Sequence, residues 1–226
     1  MKVLIRLKIL VFTAFLSACS TTGFVGLDGF ELFKEATRNK LAGSPNTFKT
    51  NPLDSLTRAQ LKAFSGPLIF AHLEASNAYA SLSAVGQNGG ATTYMTGDDV
   101  SLTFRDGILI ASRGLGGDLL SSDVSSLPPA LKQQETRKHK RVHRYLDAED
   151  HILTMSFDCL VEQSGIAVVQ FVERSYHTKA FKERCTGGTI TFDNTYWVGV
   201  SDNKIVSSRQ WVSGPIGYVD LWVLID

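Results

Sequence analysis

Val100-Ser101-Leu102-Thr103-Phe104-Arg105-Asp106-Gly107-Ile108-Leu109-Ile110-Ala111-Ser112 is the stretch that decides the fold class. Val100, Leu102 and Phe104 alternate with Ser101, Thr103 and Arg105. A period of two is that of a strand with one face buried. Asp106-Gly107 then separates this run from a second apolar one. A two-residue type I′ hairpin turn needs positive φ at both central residues, which Asp-Gly tolerates well. The stretch predicts an antiparallel hairpin.

The same pattern continues outward in both directions. Leu68 to Glu74 and Ala78 to Ala84 are short apolar runs, and Gln87 to Gly90 is turn-like. Ile152 to Leu160 and Ile166 to Tyr176 flank Ser164-Gly165, which reads as a second hairpin. Thr189 to Phe192 and Tyr196 to Val200 read as short strands around Asp193-Asn194. Asp202-Asn203 leads into Ile205 to Val212, and Gly214-Pro215 turns the chain into Tyr218 to Ile225. There Val219, Leu221, Val223 and Ile225 are expected on one face. Short strands at this spacing predict a mostly β, single-domain antiparallel barrel or barrel-like sandwich of about ten strands. Ser121 to Gln134, with Pro128-Pro129, reads as one long irregular insertion. Before the strands come one or two short helices. Phe30 to Lys40 is one candidate; Leu56-Thr57-Arg58-Ala59-Gln60-Leu61 is the better marked, with Thr57 and Gln60 spaced as a capping box and Leu56 and Leu61 as a hydrophobic staple.

The first 18 residues carry a different signal. Lys2, Arg6 and Lys8 precede an uncharged apolar run, Ile9 to Leu16, which is too short to span a bilayer. Leu16-Ser17-Ala18-Cys19 ends it and resembles the bacterial lipobox, in which the cysteine is lipidated and the signal is cut before it. The expected organisation is therefore a lipoprotein signal over 1–18, a lipidated tether over 19–29 and one β-rich domain over 30–226. Ser20 stands where aspartate would favour inner-membrane retention, so the expected address is the periplasmic face of the outer membrane. Acyl chains bind a bilayer at ~0.8 kcal/mol per buried CH₂.

Composition excludes some partners. The chain of 226 residues has a formal net charge of +1. Losing Lys2, Arg6 and Lys8 with the signal makes the domain slightly acidic, so nothing draws it globally to nucleic acid. With Cys19 assigned to lipid, Cys159 and Cys185 form an even pair in an oxidising compartment. A disulfide is expected there.

Candidate binding residues come from three places. Arg137-Lys138-His139-Lys140-Arg141-Val142-His143-Arg144 is the densest charge run. It reads either as a contact site for anionic partners, with Arg137, Lys138, Lys140 and Arg141 as candidates, or as a solvated loop entering a guarded edge strand. Arg113-Gly114-Leu115-Gly116-Gly117-Asp118 lacks the spacing of a dinucleotide fingerprint. It reads as a glycine bend that Arg113 and Asp118 tie to a barrel rim, as an ion pair or at the edge of a pocket. Arg209 and Trp211 complete the set. His139 and His143 are four apart, but basic neighbours oppose a cation and no acidic third ligand is evident. No metal or cofactor is assigned. Asp147-Ala148-Glu149-Asp150 reads as a turn rather than paired acids. Ser201-Asp202-Asn203-Lys204 overlaps two penicillin-binding motifs that belong far apart and is rejected.

Leu68-Ile69-Phe70-Ala71, Asp106-Gly107-Ile108-Leu109, Arg113 to Leu119, Ser208-Arg209-Gln210-Trp211-Val212 and Gly217-Tyr218 occur in an order that resembles the YjbF-like lipoproteins. These are also called group 4 capsule polysaccharide lipoproteins, or YmcC-like proteins. The resemblance covers nearly the whole mature chain. It implies a mostly β, barrel-like domain and a setting of capsule or exopolysaccharide production beside other exported and outer-membrane proteins. It supplies no catalytic residues. The expected function is a non-enzymatic accessory in polysaccharide assembly or export, with polysaccharide a candidate contact. The alternatives are a polysaccharide hydrolase or lyase, which needs convergent acids in a cleft, and a lipid or hydrophobic-ligand carrier, which needs a roomy apolar lumen.

Overall fold

Residues 52–147 and 149–226 are described, from a computed structural model of the chain. Cys19, the signal, the tether and the helix expected over Phe30 to Lys40 lie outside the described residues. Asp106-Gly107 closes the hairpin of β4 (Ser101–Arg105) and β5 (Ile108–Arg113), with φ of 50° and 80°. Both signs are those of the turn that Asp-Gly favours.

Twelve strands form one antiparallel sheet. The others are β1 (Leu68–Leu73), β2 (Ala78–Asn88), β3 (Ala91–Met95), β6 (Ser121–Asp123), β7 (Arg137–Leu146), β8 (Ile152–Phe171), β9 (Arg174–Gly187), β10 (Ile190–Gly199), β11 (Ile205–Ser213) and β12 (Gly217–Ile225). Their order is β5-β4-β3-β2-β1-β12-β11-β10-β9-β8-β7-β6. The two ends of the sheet, β5 and β6, meet. Around that seam Ser112 N donates to Leu119 O at 2.9 Å, and Leu120 N to Arg144 O at 2.8 Å. The sheet is a nearly closed barrel, which leaves little unpaired edge at the seam. Gln210 reaches from β11 to β5, accepting from Leu109 N at 2.8 Å and donating to Gly107 O at 2.9 Å.

Four expectations need correction. Ser164-Gly165 is not a turn. β8 runs through it, with a register shift between Gln163 and Gly165, so the glycine sits in a bulge. The hairpin closes instead at Val172-Glu173, where φ is 46° and 57°. A β-branched residue at positive φ is strained, at about 1–3 kcal/mol. Tertiary contacts hold it. Val172 is buried with Phe171 against Leu53, Leu56 and Leu61. Arg58 Nε donates to Val172 O at 3.0 Å, and Arg58 N to Glu173 Oε2 at 2.9 Å. Asp193-Asn194 is likewise inside a strand, β10, and the chain turns before it at Gly188-Thr189.

The irregular insertion is ordered. It holds β6 and a helix, α2 (Leu127–Gln133), with its prolines in the first turn and Gln134 left-handed at the C-cap. Proline lacks the N–H that a first helical turn leaves unbonded, so Pro128-Pro129 starts this helix rather than breaking it. Leu127, Ala130 and Leu131 pack with Val161, Phe181, Tyr196 and Val198. The earlier helix, α1 (Arg58–Leu61), has the full capping box at Thr57 and Gln60, and Leu56 and Leu61 are buried in one cluster. On β12, Val219, Leu221 and Val223 meet the barrel core, whereas Ile225, past a register shift, packs with Phe70 and Trp222 in a different cluster. No helix among the described residues is long and apolar enough to cross a membrane.

Candidate functional site

The basic run is β7, and strand geometry divides it. Alternate residues point to opposite faces. His139, Arg141, His143 and Tyr145 are buried, while Lys138 and Lys140 face solvent. Arg141, a candidate contact in the sequence, faces the interior and is only 1% exposed.

Inside, Arg141 meets Glu183 of β9. Arg141 Nε donates to Glu183 Oε1 at 2.8 Å. The other oxygen accepts from Asn194 Nδ2 and Tyr196 OH, each at 2.8 Å. Arg141 Nη2 also donates to Tyr196 OH at 3.0 Å. Burial would raise the Glu183 carboxyl; the Arg141 charge, with His139 and Asn194 close by, holds it down at about 2. Burial also opposes charge on Arg141, but Glu183 outweighs it and keeps the guanidinium protonated. His143 goes the other way. Burial, then the Arg141 charge, lowers it to about 3, so it is neutral. Tyr145 OH donates to Val212 O at 2.9 Å, so His143 Nδ1 is the protonated nitrogen, donating to Tyr145 OH at 2.9 Å. The imidazole stacks on Phe192 and Trp211. Trp211, a candidate contact in the sequence, is thus core. Its backbone N donates to Asn194 Oδ1 at 2.7 Å.

Two sulfurs complete this interior. Cys159 and Cys185 face each other across β8 and β9 and form a disulfide. His139 lies opposite Cys159 on β7. Its Nε2 comes within 3.0 Å of Glu183 Oε1, out of line for a hydrogen bond, and Nδ1 has no partner. Among the described residues, a small cavity of 50 Å³ lies among Ile69, Tyr94, Phe104 and Leu221, beside the packed core.

Outside, Lys138, Lys140, Asp158, Leu160, Arg184 and Thr186 line an open groove of 620 Å³ across β7, β8 and β9, with His139 and Cys159 also contributing. Lys140 pairs with Asp158 at 2.8 Å, and Arg184 makes a two-point contact with Asp193. Lys138 has no ion-pair partner among the described residues. Arg137 lies apart from the groove, against Glu135 and Gln133.

The remaining candidates are joints. Arg113 and Asp118 do not pair with each other. Arg113 donates to the carbonyls of Ser112, Leu119 and Leu120, while Asp118 accepts from Gly114 N, Leu115 N and Ser112 Oγ. Together they shape the bend at the barrel seam. Arg209 bridges Glu74 and Asp220 and lies 4.4 Å over the Tyr218 ring. Asp147 accepts from Glu149 N and His151 N, each at 2.9 Å, which makes it a turn residue. Glu183, Asn194 and Tyr196 were not singled out in the sequence. The available signal was parity: Glu183 sits between Phe181 and Cys185, at an inward position of its strand.

Residues 43–224 match the family described as group 4 capsule polysaccharide lipoprotein gfcB, YjbF. Among solved structures, the hypothetical lipoprotein YmcC from Escherichia coli (K12) is similar, with a TM-score of 0.65 at 16% identity, over 85% of this chain and 95% of that one. At that identity the likeness is one of fold. No curated protein matches the chain. The matched span takes in all but the last residue of the barrel, and on that ground the chain belongs to the group 4 capsule polysaccharide lipoprotein family.

Proposed function

We propose that the protein is a lipid-anchored accessory of capsule or exopolysaccharide assembly or export, acting by contact and not by catalysis. Cys19 carries the anchor, and the domain stands at the periplasmic face of the outer membrane. Its partners are other exported or outer-membrane export proteins and the polymer. One observation carries the contact reading. The buried charges are engaged with one another, whereas the outer groove presents Lys138, with no ion-pair partner among the described residues, beside Lys140 and Arg184 in exposed pairs with Asp158 and Asp193. Cations clustered along a groove favour an acidic chain such as a uronate- or phosphate-bearing glycan.

Deleting the gene and measuring cell-bound and released polysaccharide tests this. Surface polymer should fall, with unchanged linkages and chain ends. Complementation with Cys19→Ala should fail to restore it and should abolish acyl labelling. Complementation with Lys138→Glu/Lys140→Glu should restore it only in part. Altered linkages in the mutant, or cleavage of purified polymer by the isolated protein, would overturn the reading in favour of an enzyme.

A further inference from the structure

His139, Cys159, Cys185 and Glu183 form a cluster that the proposed function does not use. We propose that the dithiol form of the protein binds one tetrahedral divalent transition-metal ion, zinc by ligand chemistry, through these four side chains. Nitrogen, sulfur and carboxylate oxygen are the donors that zinc takes.

The ligand atoms of His139, Cys159 and Glu183 already lie within 4.8 Å of one another, and all three residues are buried. Cys185 Sγ is bonded to Cys159 Sγ and so joins the same cluster. In a tetrahedral site with Zn–S near 2.3 Å, ligand atoms stand about 3.8 Å apart. Releasing the disulfide lets the sulfurs separate toward that distance, while the other ligands move in by about 1 Å. His139 is the independent sign of a ligand. Its side chain is 1% exposed, yet neither ring nitrogen has a hydrogen-bond partner. Buried polar groups left unbonded cost about 1–3 kcal/mol, so nearly all find partners.

Charge balances in both forms. With the disulfide closed, Glu183 and Arg141 cancel. Opened and metal-bound, two thiolates and Glu183 balance the divalent ion and Arg141. Binding releases two protons, one from each thiol. The chain is synthesised as the dithiol, so the site precedes the disulfide, and bond and ion exclude each other.

The experiment is a cobalt titration. A water-soluble phosphine reduces the disulfide; with one water it yields two thiols and the phosphine oxide. The phosphine is removed and Co²⁺ is added without oxygen. One equivalent should bind, with a thiolate-to-cobalt charge-transfer band. His139→Gln should weaken binding at least about tenfold, and His177→Gln, an exposed histidine, should leave it unchanged. The oxidised protein should show no such band. Should the reduced chain unfold, circular dichroism should show cobalt restoring the fold in the wild type and not in His139→Gln. No charge-transfer band, equal affinity in His139→Gln, or the same binding by oxidised protein would each overturn the site.

Discussion

On its inner face β7 presents His139, Arg141 and His143; on its outer face, one residue along each time, it presents Lys138 and Lys140. The residue types are similar and the energetics differ. Arg141 and Glu183 are almost wholly out of water, so each depends on the other and on Asn194 and Tyr196. Lys140 and Asp158 make a pair of the same length with side chains 74% and 81% exposed. A buried pair broken on one side costs about 3–5 kcal/mol because the survivor is left charged and unpaired. An exposed pair contributes ~0–1 kcal/mol. The inner face specifies structure, and the outer face is free to change partners.

The sharpest break of this comparison is at Glu183. Glu183→Gln should destabilise the protein by about 3–5 kcal/mol, read by urea unfolding. Replacing both Arg141 and Glu183 by leucine should recover only part of that loss, because Asn194 Nδ2 and Tyr196 OH then lose their carboxylate acceptor. If Glu183→Gln costs no more than Lys140→Ala, the two faces are not different in kind.

Next is the disulfide beside that pair. Non-reducing mass spectrometry should find the Cys159 and Cys185 peptides linked, and Cys159→Ser should lower stability by about 2–4 kcal/mol. Two alkylatable thiols in the native protein would remove the bridge from the account.

Acid should act through the inner face. His143 is held near 3 against an ordinary 6.5, so the unfolded chain takes up its proton first. Its contribution is complete above about pH 6.5 and is lost as pH falls toward 3. The slope approaches about 1.4 kcal/mol per pH unit. Glu183, depressed to about 2 from 4.5, adds to the loss below about pH 4.5. Unfolding midpoints measured from pH 7 to 4 should fall in the wild type and should be flatter above pH 5 in His143→Leu. Identical profiles would assign the acid response elsewhere.

The smallest effect on stability should come from the outer face. Lys138→Glu with Lys140→Glu should leave Tm nearly unchanged and weaken binding of an acidic polysaccharide, more so at low salt, where the Debye length exceeds ~10 Å. A large fall in Tm would show that the groove is structural.

Local chemistry explains which elements were legible. Asp106-Gly107, the Thr57 to Gln60 capping box and the alternation of β4 act between near neighbours, so the residues alone determined them. The barrel class followed from strand spacing. The Cys159–Cys185 bridge followed from counting, since the even pair left one partner each. The ordered set of motifs was enough to identify the family.

Tertiary structure decided the rest. Val172-Glu173 is a poor turn by local preference and exists because Arg58 and the Leu53 cluster hold it. Ser164-Gly165 has turn residues but lies along a partner strand, where a bulge absorbs the glycine. The division of the basic run required knowing which parity of β7 faces the core. A strand shows that only once its neighbours are placed, because the pairing of Arg141 with Glu183 joins residues 42 apart in sequence. Sequence determines what a side chain can bond; closure of the barrel determined which of these groups lost water and therefore had to bond one another.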